Sequence, residues 1–275
     1  MRTQLHIVVC VKMVPDTTLV KIDPATNTLV REGIPFITNP FDVHALEEGL
    51  RLKDKYGGRV TAISMGPPAA EGVLRRALAL GADKAVLMSD RAFGGADTLA
   101  TSLVLAEAIR KIGQEDEPVD LVICGMQTID GDTAQVGPGI ASRLEFSQLT
   151  LVDHIQQIDL AEKRIRVRRK LEGRYEIVEA AIPALVTVVR EINVPRYPTV
   201  PGRLAAEDVM LPVWTNEIMK LDKQVIGLKG SPTQVRKIFA PQREKGEILD
   251  ARDRNDEAVA LILRKLKERS IVNSD

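Results

Sequence analysis

Four short segments of this 275-residue chain combine glycine or proline with hydroxyl and acidic side chains. They are VKMVPDT (11–17), SMGPPA (64–69), DRAFGGADT (90–98) and GMQTIDGDTAQVGPG (125–139). That composition suits backbone N–H groups turned towards an anion, with a helix N-terminus just behind them. In the last segment Thr133, Ala134, Gln135 and Val136 are expected to open a helix whose amides could receive a phosphate or pyrophosphate. Asp130 and Asp132 would repel phosphate directly, so they suit caps, or acceptors for ribose hydroxyls or an adenine amino group. The side chains otherwise offer little chemistry. His6, His44 and His154 are scattered, and none stands at a metal-ligand spacing or beside a nucleophile. Both G-x-G-x-x-G and G-x-x-x-x-G-K-[ST] are missing from the sequence, so neither usual phosphate fingerprint applies. A bound cofactor would have to carry any reaction.

The elements expected to hold these loops alternate. A buried strand over Ile7–Val14 ends at Pro15-Asp16, and a brief two-strand excursion follows, with turns at Asp23-Pro24 and Thr26-Asn27. Asp42 is placed to cap a helix that runs to Gly57-Gly58. Next come a strand (Arg59 to Ser64), a helix (Glu71 to Leu80, stopped by Gly81) and a strand (Lys84 to Met88). A helix from Thr98 to Ile112, for which Asp97 is either the cap, a polar group towards a bound ligand, or both, precedes a strand from Asp120 to Cys124. Such alternation predicts an α/β fold with a mostly parallel sheet and helices on both faces. All four loops then fall at the carboxyl ends of strands, where such sheets bind ligands. An antiparallel appendage is expected over about 150–182, and PALVTVVRE (183–191) returns as the last strand. Prolines at 195, 198, 201, 212, 232 and 241 then predict an irregular segment that lies along another chain, before a final amphipathic helix.

Composition narrows the function classes. Lys+Arg and Asp+Glu both number 38, so the net charge is zero and no bulk attraction to nucleic acid or an anionic membrane exists. Hydrophobic residues are 44% and charged residues 28%, as in ordinary globular proteins. Aromatic residues are only 3%, so a flat ligand must be held by backbone, aliphatic and small polar groups. Cys10 and Cys124 end apolar runs and read as buried, reduced thiols. No window approaches the run of about 20 apolar residues that spans a bilayer, and no signal-peptide pattern opens the chain. The expected location is cytoplasmic, with any membrane association made through a partner complex.

At these residues the sequence resembles the electron transfer flavoprotein β subunits. VRRKLEGRYEIVEAAIPALVT (167–187) matches the family signature in its basic residue, its acidic-Gly turn, Glu176, Pro183 and the apolar pair ending in Thr187. NPFD (39–42), the GMQTIDGDTAQVGP loop and PRYPTVPG (195–202) match as well, so the resemblance runs from about residue 4 to the C-terminus. It implies an adenine-nucleotide α-hydrolase-like α/β fold at 1–192 and an extended arm with a C-terminal helix at 193–275, packed on an obligate α-subunit partner. Ordinary members carry AMP in this subunit, whereas bifurcating members carry FAD there and take hydride from NADH. Five segments resemble the bifurcating kind: VPDT (14–17), MGPP (65–68), DRAFGGADTLATS (90–102), IDGDTAQVGP (129–138) and GSPTQV (230–235).

By that resemblance the adenosine and diphosphate of FAD lie against Cys10, the Asn39-Pro40-Phe41-Asp42 turn, and Met65 with Gly66. They also lie along the loop through Gly125, Gln127, Asp130, Gly131, Asp132, Thr133, Ala134, Gln135, Val136, Gly137 and Pro138. The flavin ring points to Gly94, Gly95, Ala96, Asp97, Thr98 and Thr101. The Gly94-Gly95-Ala96 turn is expected to leave backbone room for the ring. One electron would pass to the α-subunit FAD and on to a dehydrogenase or quinone oxidoreductase, the other to ferredoxin or flavodoxin. Ile192, Asn193, Pro195, Arg196 and Tyr197 form the expected partner loop, with Ile192 as its exposed apolar anchor. This loop keeps the PRY of ordinary members, which sustains the alternative of a non-bifurcating subunit with structural AMP. A non-redox nucleotide sensor is the alternative from another class, and the long segment after residue 193 argues against it.

Overall fold

The computed structural model describes residues 4–16, 21–22, 29–30, 35–233, 252 and 255–272. Thr17, the turns at Asp23-Pro24 and Thr26-Asn27, and Gln234-Val235 lie outside the described residues. The chain divides into two units, residues 1–237 and 238–275.

The first unit is built on a nine-stranded sheet. Its strands in chain order are β1 (Leu5–Cys10), β6 (Gly58–Met65), β7 (Lys84–Met88), β8 (Leu121–Gly125), β9 (Ser147–Asp159), β10 (Arg164–Leu171), β11 (Arg174–Ala181), β12 (Ala184–Val188) and β13 (Val213–Trp214). Two small antiparallel pairs lie apart from it: β2 (Met13–Pro15) with β5 (Phe36–Thr38), and β3 (Lys21–Ile22) with β4 (Leu29–Val30). The spatial order is β11-β10-β9-β12-β8-β1-β6-β7-β13. Every pairing from β9 to β13 is parallel, and β9, β10 and β11 pair antiparallel. β1 lies between β6 and β8, so the chain leaves it to one side and returns on the other; the crevice at its carboxyl end is the switch point of the sheet.

Apolar residues on alternate strand positions supply two cores. Ile7, Val9, Val60 and Ala62 face Leu46 and Leu50 of α1 (Pro40–Tyr56) and Leu74 of α2 (Glu71–Leu80). Val8, Ile63 and Val122 face Val104 and Ile109 of α3 (Thr98–Glu115) and Ile140 of α4 (Val136–Leu144). Helices therefore cover both faces, as the alternation predicts.

Several boundaries differ from the sequence expectation. The first strand stops at Cys10 because the Lys12 amide donates to Asp42 Oδ2 at 2.8 Å and the Lys12 carbonyl accepts from the Asn39 amide at 2.8 Å. Those bonds turn the chain away, and Met13–Pro15 pairs with β5 instead. The helix α1 is entered from Asn39 with Pro40 at its first position, where a fixed φ and a missing N–H are tolerated. Asp42 is thus not its cap but a buried first-turn residue. The antiparallel appendage continues the main sheet: β9 pairs with β12 along its first half and with β10 along its second.

The segment after Asn193 holds more regular structure than its prolines predict. Thr199 caps α5 (Val200–Asp208), Gly202 brings it within a Cβ of the Ala79 carbonyl, and Arg75 of α2 donates to the Ala206 carbonyl at 2.7 Å. PALVTVVRE is not the last strand, because β13 adds beside β7 at the edge. A short α6 (Asn216–Met219) follows. In the second unit α7 (Asn255–Glu268) is amphipathic, with Val259, Ile262 and Leu263 exposed, acids in its first turn and lysines in its last. Among the described residues no helix is long and apolar enough to cross a membrane.

Candidate functional site

The start of α1 and the carboxyl ends of β1 and β8 meet at the switch point through side chains that bond backbone. Asn39 Nδ2 donates to the Gln127 carbonyl at 2.9 Å, and Asn39 Oδ1 accepts from the Ile129 amide at 3.2 Å. Asp42 accepts the Lys12 amide on one oxygen and the Gly125 amide on the other, at 2.8 and 3.1 Å. A Cβ on Gly125 would stand 2.5 Å from Asp42 Oδ1 and 2.5 Å from Phe41 Cβ, so glycine is what lets α1 come this close. Burial pushes the Asp42 carboxyl up to about 7, against the opposing pull of Asn39, the two amides and the Lys12 charge.

Lys12 closes the arrangement, with Nζ 2.8 and 2.7 Å from the two oxygens of Asp130. Burial raises the Asp130 carboxyl, but Lys12 and Thr128 outweigh it and hold it below its ordinary value. Asp132 accepts from Gln127 Nε2 at 2.8 Å. Both acids expected to trouble a phosphate are therefore occupied within the protein.

Residues 130–135 are exposed, with Asp132 and Ala134 at φ 51° and 53°. The helix opens at Val136, three residues later than expected, because these left-handed positions interrupt it. Its N-cap residue Gln135 makes no capping bond, so the amides of Val136 and Gly137 keep no side-chain acceptor. A Cβ on Gly137 would lie 2.7 Å from Thr187 Cγ2 and 2.9 Å from Cys124 Sγ. The positive end of α4 is thus seated directly on β8 and β12 and stands at the sheet's carboxyl edge. Such a set, helix-start amides without a side-chain acceptor beside one ion-paired acid and one hydrogen-bonded acid, fits the phosphate and ribose of an adenine nucleotide.

Thr98 joins the second loop to the first, donating through Oγ1 to Gln135 Oε1 at 2.9 Å. Asp97 caps α3, accepting from the Leu99 and Ala100 amides at 3.0 and 3.1 Å. It is also tied to residues 231–233: its amide donates to Ser231 Oγ at 2.8 Å, and its carboxylate accepts from Thr233 Oγ1 at 2.9 Å. Burial pushes this carboxyl up, and the Ala100, Thr233 and Leu99 bonds bring it below its ordinary value. Thr101 closes the first turn of the helix, its amide bonded to the Asp97 carbonyl.

The room expected beside Gly95 is taken. A Cβ there would stand 3.2 Å from Leu228 Cβ, and the Leu228 amide donates to the Gly94 carbonyl at 3.0 Å. The glycines accommodate the chain's own turn. Ala96 is half-buried between Gly95 and the Asp97 cap. Met65 ends the neighbouring strand β6 and Gly66 follows it, both half-buried, with the Gly66 amide on the Met88 carbonyl. Pro138 completes the first turn of α4.

Cys10 and Cys124 are buried and free, at the ends of the adjacent strands β1 and β8. Burial and the neighbouring Asp42 raise both thiols, which leaves them poor nucleophiles. Among the described residues no cluster of three metal-ligating side chains occurs.

The segment 192–197 is held on α1. Asn193 Nδ2 donates to the His44 carbonyl and to Glu48 Oε2, each at 3.0 Å, and Arg196 pairs with Glu47 and Asp54. Ile192 is 6% exposed and packs into the core, so it is not the exposed anchor expected. Val194 and Tyr197, each 89% exposed, are the apolar side chains turned outward beside Pro195. Lys12 is one of only two basic residues in the four loops, which is the one sequence signal that singles it out. Leu228 carried no signal, since its role lies in a contact 133 residues away.

The electron transfer flavoprotein domain profile matches residues 26–218. Over 93% of this chain and 92% of its own length, Protein FixA of Azotobacter vinelandii is 49% identical. The electron transfer flavoprotein subunit beta of Clostridium acetobutylicum is 48% identical over 96% of this chain and 98% of its own. Subunit CarD of the caffeyl-CoA reductase-Etf complex of Acetobacterium woodii is 45% identical over 98% and 100%. With the α/β sheet and its carboxyl-edge site, these matches make the chain a member of the electron transfer flavoprotein family, as a β subunit.

Proposed function

We propose that this β subunit holds FAD at the β1–β8 crevice, that NADH reduces it by hydride transfer, and that the two electrons then part. One goes to the α-subunit flavin and a dehydrogenase or quinone acceptor, the other to ferredoxin or flavodoxin. The observation that carries the reading is the Thr98–Gln135 bond, which sets the 94–101 loop beside the 125–138 loop. A ligand longer than AMP can run from one loop to the other. Flavin, when bound, supplies the ability to accept two electrons from a hydride donor and release them singly.

The chain's own residues do the binding and orienting. The Val136 and Gly137 amides at the α4 N-terminus receive phosphate charge, and Asn39 keeps the backbone of Gln127 and Ile129 in line along the ligand. Asp97 fixes the start of α3 and thereby the position of Thr98 and Thr101. The name of CarD places that protein in a complex with a caffeyl-CoA reductase, which supports an acyl-CoA-type oxidoreductase among the partner classes of this chain.

A second reading, AMP in place of FAD, is favoured by Leu228 lying against Gly95 where the ring would stand. Counting the nucleotides released from the purified αβ complex separates the two. Two FAD per heterodimer, one of them bleached anaerobically by NADH, is the expected result. One FAD with an equivalent of AMP, and no NADH bleaching, supports the second reading and overturns the first.

A further inference from the structure

Asp42 is 5% exposed and too deeply placed to meet a ligand, yet it is bonded to the link that leaves β1 and to the end of β8. We propose that Asp42 is a positioning residue whose carboxylate, by holding the Lys12 and Gly125 amides together, sets the nucleotide-binding edge and couples nucleotide affinity to a single proton. The inference rests on the reading that an adenine nucleotide binds at this crevice.

The geometry leads there in three steps. Oδ2 accepts from Lys12 N and Oδ1 from Gly125 N, so one oxygen serves the link that leaves β1 and the other the end of β8. The Lys12 side chain, anchored at its backbone, reaches Asp130 on the loop that follows Gly125. One buried carboxylate therefore fixes both ends of that loop's tether. A protonated acid bears hydrogen on one oxygen and accepts there only weakly, without the charge assistance of a carboxylate, so one of the two amide bonds weakens and the loop loses its register. The charged and titratable groups facing Asp42 are Lys12, from the link between β1 and β2, and the Cys10 and Cys124 thiols, from the ends of β1 and β8. Lys12 favours the carboxylate, and both thiols remain neutral because burial raises them. Asp42 is thus the group in this cluster that titrates near neutrality.

Two linked effects have opposite slopes, which separates positioning from structure. A carboxyl raised by burial contributes folding stability at low pH that is lost as pH rises through its folded value, here about 7. Nucleotide affinity, if set by the two amide bonds, increases over the same rise.

The test is calorimetric titration of AMP into the full αβ complex stripped of its β-site nucleotide, in buffers of differing ionisation enthalpy. Affinity should rise about tenfold from about pH 6 to about pH 8, as expected for recovering a charge-assisted hydrogen bond, with fractional proton release on binding. Asp42→Asn mimics the protonated acid, since its amide offers one acceptor and one donor; its affinity should be low and flat with pH. Lys12→Met keeps both amide bonds but removes a charge that favours the carboxylate, so binding should weaken while the pH dependence persists, moved to higher pH. A flat wild-type profile, or affinity that falls as pH rises, overturns the positioning role and leaves the site reading intact. Absence of AMP binding at every pH overturns both.

Discussion

The Arg196 guanidinium meets Glu47 through Nε at 3.0 Å from Oε2, on a carboxylate whose side chain is 7% exposed. The Arg196 amide donates to the same oxygen at 3.0 Å, and a second guanidinium nitrogen reaches Asp54 at 2.7 Å. Burial lowers the guanidinium, but Glu47 and Asp54 outweigh it, and its affinity for its proton ends above the ordinary value. This pair anchors the segment that turns Val194 and Tyr197 outward. Arg196→Ala leaves the Glu47 charge buried with only its backbone partner. Because Arg196 itself is 35% exposed, the expected cost is about 1–3 kcal/mol in urea unfolding, below the value for a fully buried pair. On the proposed function, electron delivery from the αβ complex to an acceptor that docks on this segment should fall further than stability does. A loss of stability alone would mean that the segment is structural.

Two glycines separate seating from backbone freedom. Gly137→Ala drives a methyl to 2.7 Å from Thr187 Cγ2 and 2.9 Å from Cys124 Sγ, so α4 must lift from β8 and β12. The expected cost is about 1–3 kcal/mol by chemical denaturation, accompanied by nucleotide loss. Gly72→Ala in α2 meets nothing within 4 Å and should be neutral or stabilising by about 0.5–1 kcal/mol. Equal effects at the two positions would remove the argument that α4 is held down by contact.

Asp97→Ala removes the α3 cap and the anchor for residues 231–233 together, with an expected cost of about 1 kcal/mol from the cap alone. Amides at 228 and 230, bonded to the Gly94 and Ile226 carbonyls, should exchange hydrogen faster in the variant. The Asp97 carboxyl is held below its ordinary value, so its stabilising contribution is present above the unfolded value. That contribution is lost as pH falls below about 4. An acid-unfolding curve for the variant that overlays the wild type would contradict the cap.

Much of this molecule is written locally. Glu71–Leu80 begins and ends where its apolar spacing and Gly81 predict, and Lys84–Met88 appears residue for residue. The alternation of such elements was sufficient for a parallel sheet with helices on both faces, and the loop compositions pointed to its carboxyl edge. Elsewhere the local signals conflicted. The apolar run through Val14 reads as one strand, yet a carboxylate from α1 takes the Lys12 amide and ends it. Prolines after Asn193 read as irregular chain, yet α5 and β13 form because α2 and β7 supply surfaces for them.

Periodicity, caps and glycines act over a few residues, and for that reason the sequence alone determined the fold class, the two core faces and the strand ends at which the four loops gather. The roles within that edge were decided by tertiary structure. Asp42 reads as an ordinary cap until α1 carries it under two strands, where an amide 83 residues away and loss of water turn it into a carboxyl that titrates near neutrality. Lys12 has no role legible in the chain until Asp130, 118 residues on, comes within 2.8 Å. Gly95 reads as open space until Leu228 fills it. Each depends on a distance set by the packing of other elements, and no local pattern encodes such a distance.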